Sequence, residues 1–179
     1  MKSPAKTPQR IFYSRLIGGI TDETVREVVK DIDTANTDKK IHRIVLTVAS
    51  NGGQLYPAFA LYDHIRASKK PVDIVAAGYC MSAAVMILQA GRKRLSYPHT
   101  VFMVHPSAYK LDERRSYREF MMMVDSYKKE HDLFVELTIE RSGMTKIEFE
   151  KIYEPRKYLT PEEAKKLGKH GLIDEIVKL

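Results

Sequence analysis

The sequence predicts an α/β protein with a mostly parallel sheet, and two observations support this fold class. Short apolar runs at residues 44–48, 72–77 and 101–104 have the length and composition of buried strands. Helical patterns lie between these runs, and strands that alternate with helices form right-handed βαβ crossovers and hence a parallel sheet. With 179 residues, the chain is long enough for one domain with a sizeable core.

A leader, a strand and a helix are predicted before the first of these runs. Residues 1–10 are polar and rich in proline and lysine, which predicts a flexible leader, and residues 11–179 are expected to form a single domain. A short strand is predicted at residues 11–16, ended by a pair of glycines. A helix capped by Thr21 or Asp22 follows, because apolar residues recur behind these positions at helical spacing.

Two more helices are predicted between the buried strands. Residues 57–67 carry a helical pattern, which ends ahead of a Lys-Lys-Pro sequence because the residue before a proline disfavours helix. Gly78 is predicted to turn the chain after the second buried strand, and residues 81–90 have the pattern of a helix of small and apolar residues. Residues 91–94 are predicted to form the loop that follows this helix.

The sequence changes character after residue 109 and predicts a long amphipathic helix at about residues 114–141. Its apolar face consists of residues three or four positions apart: Phe120, Val124, Tyr127, His131, Phe134 and Leu137. Packing on the protein's own core and contact with another subunit explain such a face equally well. A short helix at residues 145–153, a capped helix that begins at Thr160 and a last strand at residues 172–177 complete the predicted elements.

Composition and charge argue against several classes of protein. The net charge is +7, but basic and acidic residues are interleaved and no basic block contains aromatic residues, so binding to nucleic acid is not expected. A membrane span is not expected either, and the N-terminus lacks the apolar core of a secretory signal, so the predicted location is cytoplasmic. The single cysteine, Cys80, is predicted to be a small buried residue rather than a nucleophile.

Three short segments place chemically useful groups just after the predicted strands. Gly52 and Gly53 follow the first strand, where they form either a plain turn or a turn that leaves a backbone N–H open toward an oxyanion. Ser82 starts the helix after the second strand, either as a structural residue or as an exposed nucleophile with the N–H of Ala83 as an oxyanion donor. His105 ends the third strand, where a structural histidine is the ordinary alternative to a catalytic one.

Together these segments predict acyl-transfer chemistry, and peptide hydrolysis above all. Sites in parallel sheets form at the carboxyl ends of the strands, so the three segments are expected to meet at one edge of the sheet. Ser82 and His105 would then form a nucleophile and a base, which is the pairing that acyl transfer requires. No metal ion or organic cofactor is implied.

In their order and spacing, the three segments resemble those of the Clp protease proteolytic subunits, the ClpP-like serine peptidases. The resemblance covers about residues 10–176. The sequence at residues 50–53 is similar to the Ser-Pro-Gly-Gly segment of that family. Residues 78–84 are similar to the segment that holds the family's nucleophile, and residues 104–106 to the segment that holds its base.

This resemblance implies a fold, a set of residue roles and an assembly. The implied fold is ClpP/crotonase-like, built of repeated ββα/βαβ units, with residues 114–141 as a protruding handle helix. Ser82 would be the nucleophile and His105 the general base, and the N–H groups of Gly53 and Ala83 would hold the oxyanion. The implied assembly is a homo-oligomer of rings, typically two stacked heptamers, that takes unfolded polypeptide from an AAA+ unfoldase.

The sequence departs from the family pattern most clearly at the third member of the catalytic triad. The family places an aspartate four residues before the cap of the closing helix, and Arg156 occupies that position here. A guanidinium cannot accept the imidazole N–H and disfavours an imidazolium. Three explanations stay open: Glu154 or Asp174 replaces the aspartate, a Ser–His dyad works slowly, or the protein is a poor or inactive relative.

The resulting prediction is a serine endopeptidase of the ClpP type that cleaves unfolded polypeptides or peptides inside an oligomeric ring. One alternative is a non-catalytic or weakly active subunit of a similar ring, for which Arg156 argues. A less favoured alternative is an acyl-CoA enzyme of the crotonase class. Such an enzyme usually needs a carboxylate base, whereas this sequence offers a serine and a histidine.

Overall fold

The computed structural model describes residues 10–107 and 116–178 of the chain. These residues form seven strands and six helices. In chain order, the elements are β1 (Arg10–Ile20), α1 (Asp22–Thr37), β2 (Ile41–Gly53), α2 (Leu55–Arg66), β3 (Val72–Met81), α3 (Ala83–Gln89), β4 (Arg94–Ser96), β5 (Val101–Met103), α4 (Tyr117–Ser142), α5 (Lys146–Tyr153), β6 (Tyr158–Leu159), α6 (Pro161–Lys165) and β7 (Glu175–Ile176). Nearly all of the predicted leader and the first two residues of the predicted handle helix lie outside the described residues.

All seven strands belong to one sheet, and the predicted α/β class with a mostly parallel sheet is confirmed. Neighbouring strands follow the order β1-β2-β3-β4-β7, and every pair along this path is parallel. The sheet forks at β3, whose first half pairs with β4 and whose second half pairs with β5. β6 then pairs with β5 in the antiparallel direction.

The fork at β3 corrects the prediction that Gly78 turns the chain. Gly78 lies inside β3 and has a φ of 67°, a backbone conformation that glycine adopts readily. It stands between Ala76, the last residue paired with β4, and Tyr79, the first residue paired with β5. The glycine therefore bends a continuous strand from one partner toward the other, and β3 ends at Met81, four residues later than predicted.

Several other predicted strand boundaries were wrong. Hydrogen bonding to a neighbouring strand extends some strands and creates others, and the local sequence pattern does not reveal this. β1 continues past its two glycines because it pairs with β2 as far as Ile20. β4 and β6 were not predicted, and the last strand is shorter than predicted. Two or three residues carry too little periodicity to be recognised as a strand.

The helix caps follow the sequence closely. Thr21 caps α1, Thr145 caps α5 and Thr160 caps α6, and in each case the side chain accepts a hydrogen bond from the N–H three residues later. The long helix α4 begins in the same way at Ser116. It ends at Gly143, whose φ of 67° is typical of a helix C-terminus.

The core surrounds α3, whose seven residues are all buried. The C-terminal half of α4 packs on this same core: Phe134 is only 4% exposed and contacts the rings of Phe149 and Tyr153. The N-terminal half of α4 carries exposed apolar residues, with Phe120 41% and Val124 43% exposed. Packing on the protein's own core thus explains the C-terminal half of the helix, whereas the apolar residues of the N-terminal half are exposed in the single chain. Of the helices in the described residues, none has the length and apolar character needed to cross a membrane.

Candidate active site

The candidate site lies where β2, β3 and β5 end. These strands are parallel neighbours, so their carboxyl ends meet at one edge of the sheet, as the sequence predicted. A groove of about 520 Å³ opens at this edge. Its described lining residues are Gly19, Ile20, Thr21, Asn51, Gly53, Gln54, Leu55, Ser82, His105, Ser107 and Glu130.

Ser82 sits on a strained turn between β3 and α3. Its φ of 53° and ψ of −128° are rare for any residue other than glycine. Two backbone hydrogen bonds hold it there: its N–H donates to Met103 O at 2.7 Å, and its carbonyl accepts from the N–H of Val85 at 2.9 Å. A strained strand-to-helix turn of this kind presents a side chain above the end of the sheet.

Gly52 packs directly against this turn. Its φ is +93°, and a Cβ at this position would lie 2.6 Å from Ser82 Cβ and 2.9 Å from Met81 O. Any larger residue would therefore push the end of β2 away from the serine. The N–H of Gly52 donates to the Ser50 hydroxyl at 3.0 Å, so Gly53 is left as the candidate oxyanion donor of the glycine pair.

The two predicted oxyanion donors lie at the end of β2 and at the beginning of α3. Ala83 is the first residue of α3, and an N–H in the first turn of a helix has no acceptor inside that helix. Gly53 ends β2 and lines the groove. A Cβ on Gly53 would lie 2.4 Å from Ile20 O, so this glycine is also required for the pairing of β2 with β1.

His105 is oriented by its own neighbour in the chain. Its Nδ1 lies 2.7 Å from Pro106 O. A carbonyl oxygen only accepts hydrogen bonds, so Nδ1 carries the proton and Nε2 is the free acceptor, which is the tautomer that a general base needs. Within the described residues, no hydrogen bond joins Ser82 to His105. Catalytic hydrogen bonds often form only when a substrate is bound.

Arg156 occupies the position where the resemblance places an aspartate, two residues before β6. The antiparallel register pairs Phe102 with Leu159 and Met103 with Tyr158. Arg156 itself lies in the turn between α5 and β6, where its N–H donates to Tyr153 O at 3.2 Å. Arg156 is exposed and has a φ of 52°, a left-handed conformation that asparagine and aspartate tolerate better than arginine does.

The two carboxylates suggested as replacements for the aspartate lie elsewhere. Asp174 accepts hydrogen bonds from the backbone N–H of Arg94 at 2.7 Å and from its guanidinium. Glu154 follows α5 and lines a separate cavity with His131 and Tyr153. Neither carboxylate makes a hydrogen bond to His105 in the described structure.

The charge of Asp174 serves the buried Arg94, which is only 2% exposed. Partial burial by itself would raise the pKa of the Asp174 carboxyl, but the hydrogen bonds and the positive charge of Arg94 outweigh it and hold the pKa below its usual value. A carboxyl whose pKa is lowered in the folded protein stabilises the fold above its unfolded pKa of about 3.9. This stabilisation is lost as the pH falls through the folded pKa.

We expect Asp174→Asn to lower the free energy of unfolding by about 2–3 kcal/mol at neutral pH, because it leaves a buried guanidinium without a counter-charge. The difference from the parent protein should shrink as the pH falls from about 4 through the lowered pKa of the folded carboxyl, because the parent carboxyl then becomes protonated too. Urea unfolding as a function of pH measures both effects. Glu175→Gln, at the exposed neighbouring residue, is the matched control. Unchanged stability together with lost hydrolysis would instead assign Asp174 to His105.

Glu130 is a groove residue that the sequence did not reveal. It projects from α4 among charged residues that have the pattern of a solvated helix face. The hydroxyl of Tyr56 on α2 donates to its Oε1 at 2.8 Å, and Ser126 approaches the same oxygen at 3.4 Å. The one available signal was spacing, because Glu130 lies four residues before the buried Phe134 and so shares its side of the helix.

Cys80 lies two residues before Ser82 and is fully buried. Burial raises the pKa of its thiol above the usual value, which keeps the sulfur protonated and unreactive. The prediction of a small buried residue is confirmed. In the part of the chain that the structure describes, no three His, Cys, Asp or Glu side chains are grouped closely enough to hold a metal ion.

A sequence model of the Clp protease family matches residues 6–179, which is almost the whole chain. The chain belongs to the Clp protease family. Its predicted resemblance to the proteolytic subunits of that family is thereby confirmed, and the α/β sheet agrees with the ClpP fold.

Three relatives carry the name ATP-dependent Clp protease proteolytic subunit, one of them as subunit 1. The chain is 32% identical over 100 residues to the protein of Pleurastrum terricola, covering 53% of this chain and 51% of the relative. It is 26% identical over 148 residues to the protein of Deinococcus radiodurans, covering 82% of this chain and 69% of the relative. It is 24% identical over 173 residues to subunit 1 of Cutibacterium acnes, covering 94% of this chain and 79% of the relative. The match thus spans about half the length of the first relative and more of the other two.

Proposed function

We propose that this Clp protease family member is a serine endopeptidase that cleaves unfolded polypeptides, with Ser82 as nucleophile and His105 as general base. The observation that carries the proposal is the strained turn at Ser82, in the same groove as a histidine whose Nδ1–H is already engaged. A strained nucleophile beside a base in the correct tautomer is an arrangement suited to acyl transfer.

The reaction follows from these positions. Ser82 Oγ attacks the carbonyl carbon of the scissile bond, and its proton passes to His105 Nε2. The N–H groups of Gly53 and Ala83 stabilise the oxyanion of the tetrahedral intermediate. His105 then gives the proton to the leaving amine, and an acyl-enzyme remains on Ser82. A water molecule, deprotonated by His105, hydrolyses this ester and regenerates the serine.

The orientation of His105 favours the dyad among the three explanations for the missing aspartate. The carbonyl of Pro106 fixes the ring and its tautomer, but a neutral oxygen stabilises an imidazolium less than a carboxylate does. The guanidinium of Arg156, at the position of the family's aspartate, would oppose the imidazolium. We therefore propose hydrolysis that is slower than in enzymes with a complete triad.

An assembly into homo-oligomeric rings, heptameric as the family resemblance implies, is part of the proposal. The N-terminal half of α4 supports it, because four apolar residues are exposed there: Phe120, Met121, Met122 and Val124. A contiguous apolar patch of this kind is typical of a protein–protein contact. The relatives' name, which calls them subunits of an ATP-dependent protease, also supports an ATP-driven unfoldase as a partner. A cytoplasmic location is part of the proposal as well.

We expect the double variant Phe120→Asp/Val124→Asp to break the assembly into smaller species, because two carboxylates would have to be desolvated in the contact. Light scattering measures the mass. Ile147→Asp on α5, which also replaces an exposed apolar residue but lies outside the patch, is the control. A double variant with unchanged mass would mean that this half of α4 is not part of the contact.

The proposal is tested with a serine-reactive fluorophosphonate. We expect the probe to form a covalent bond to Ser82, which peptide mapping by mass spectrometry would locate, and the labelling to be lost in His105→Ala. A non-catalytic ring subunit, for which Arg156 argues, predicts no labelling in either protein. Degradation of an unfolded protein substrate with and without an unfoldase would then measure the activity itself.

A further inference from the structure

The groove that holds Ser82 and His105 contains one carboxylate among its described lining residues, that of Glu130. Apart from His105, the other described residues of the lining carry no ionisable side chain. Among the described lining residues, this single negative charge favours a ligand with a positive charge.

Neighbouring side chains hold this carboxylate in place. The Tyr56 hydroxyl donates to Oε1 at 2.8 Å, and the Ser126 hydroxyl lies 3.4 Å from the same oxygen. Tyr56 is itself in edge contact with the ring of Phe59, with the ring centroids 6.5 Å apart. Both donors to the carboxylate use Oε1, and no donor from the described residues occupies Oε2. One carboxylate oxygen is therefore fixed by the protein and the other is available to a ligand.

No cation of the protein neutralises Glu130 within the described structure. The nearby Lys129 forms an ion pair with Asp125 at 2.7 Å instead. Glu130 is half-buried at the wall of the groove, where an ion pair is less screened by water than on an open surface. A positively charged group brought into the groove would find a preorganised acceptor there.

We propose that Glu130 is a specificity-determining residue and that it selects polypeptide segments with a lysine or arginine close to the scissile bond. The inference deepens the proposed peptidase function and rests on it. α4 carries Glu130 into the groove and α2 carries its donor Tyr56, so the preference depends on the hydrogen bond between these two helices.

The first experiment measures binding, so that it does not depend on turnover. The first peptide of each pair carries a lysine at one position and the second carries norleucine there, and the other residues of both peptides are uncharged. The peptides are labelled with fluorescein, the full-length Ser82→Ala variant is titrated into them, and binding is followed by the fluorescence anisotropy of the label. We expect the best lysine peptide to bind about tenfold more tightly than its norleucine counterpart, with the difference reduced by added salt. Adding Glu130→Gln, which preserves the acceptor for Tyr56, should remove this preference.

Glu136→Gln on the same helix is the matched control, because Glu136 is exposed and does not line the groove, and it should keep the preference. Equal binding of the two peptides, or a preference that survives Glu130→Gln, would overturn the inference. The second experiment compares kcat/KM for the same peptides in proteins that retain Ser82. Turnover without a Glu130-dependent preference would contradict the inference alone. Preferential binding without turnover or fluorophosphonate labelling would contradict only the peptidase function.

Discussion

Replacing Ser82 with alanine is expected to lower the turnover of an unstructured peptide by about 10²-fold and to abolish labelling by a fluorophosphonate. The reason for so limited a loss lies in the missing aspartate. In a complete serine protease triad, removing the nucleophile costs about 10⁶ in kcat, and removing the aspartate alone costs about 10⁴. An enzyme that already lacks the acid has only the remaining factor of about 10² to lose.

The size of this loss therefore reports on how His105 is oriented. A fall of about 10⁶ would mean that some carboxylate completes the triad in the assembled protein. The variant should keep the thermal unfolding temperature and the oligomeric mass of the parent protein, because alanine at position 82 inherits the same strained backbone. Peptide hydrolysis that does not change at all would exclude Ser82 as the nucleophile.

The parts of the site that the sequence predicted are those set by strand order. Ser82 and His105 each follow an apolar run directly, and parallel strands in consecutive βαβ units must end at the same edge of the sheet. Nothing more than the pattern of strands and helices was needed to bring the two residues to one groove. The strain at Ser82, in contrast, arises from contacts with Gly52 and with Met103 O, which only the folded chain supplies.

The parts that the sequence did not predict are set by contacts between distant residues. Arg94 and Asp174 are 80 positions apart, and neither has a local signal that predicts their ion pair. Glu130 lies on a helix whose charged surface has the same pattern whether a given residue faces solvent or the groove. Its position depends on how α4 packs on α3 and α5, and helix packing is decided by the shapes of whole faces.

We expect Arg156→Asp to accelerate peptide hydrolysis by at least about tenfold, and by no more than the roughly 10⁴ that the triad acid supplies elsewhere. Residue 156 occupies the position of the family's aspartate, and it lies two positions before β6, which pairs with the strand that precedes His105. An aspartate there would accept the Nδ1–H and stabilise the imidazolium that forms during attack. The gain should stay below the maximum, because the new carboxylate must compete with Pro106 O for the same proton.

Arg156→Asn is the control that isolates the charge. Asparagine and aspartate have the same shape, and both tolerate the positive φ at position 156, so both variants remove the arginine and relieve the same backbone strain. A gain seen with aspartate alone comes from the carboxylate, and a gain shared by both variants comes from removing the guanidinium. Measured kcat values of the two variants and the parent separate these contributions.

If the new aspartate acts by orienting His105, its effect on the rate must depend on the presence of His105. A general electrostatic effect on the substrate would not depend on it. In a His105→Ala background the advantage of Arg156→Asp over Arg156→Asn should vanish, because residues that act through one another are not additive. An advantage that persists without the imidazole would place the new charge in substrate binding instead. If all these variants form the parent assembly and none hydrolyses peptide or reacts with a fluorophosphonate, the chain is a non-catalytic subunit, and Arg156 marks the loss of the activity.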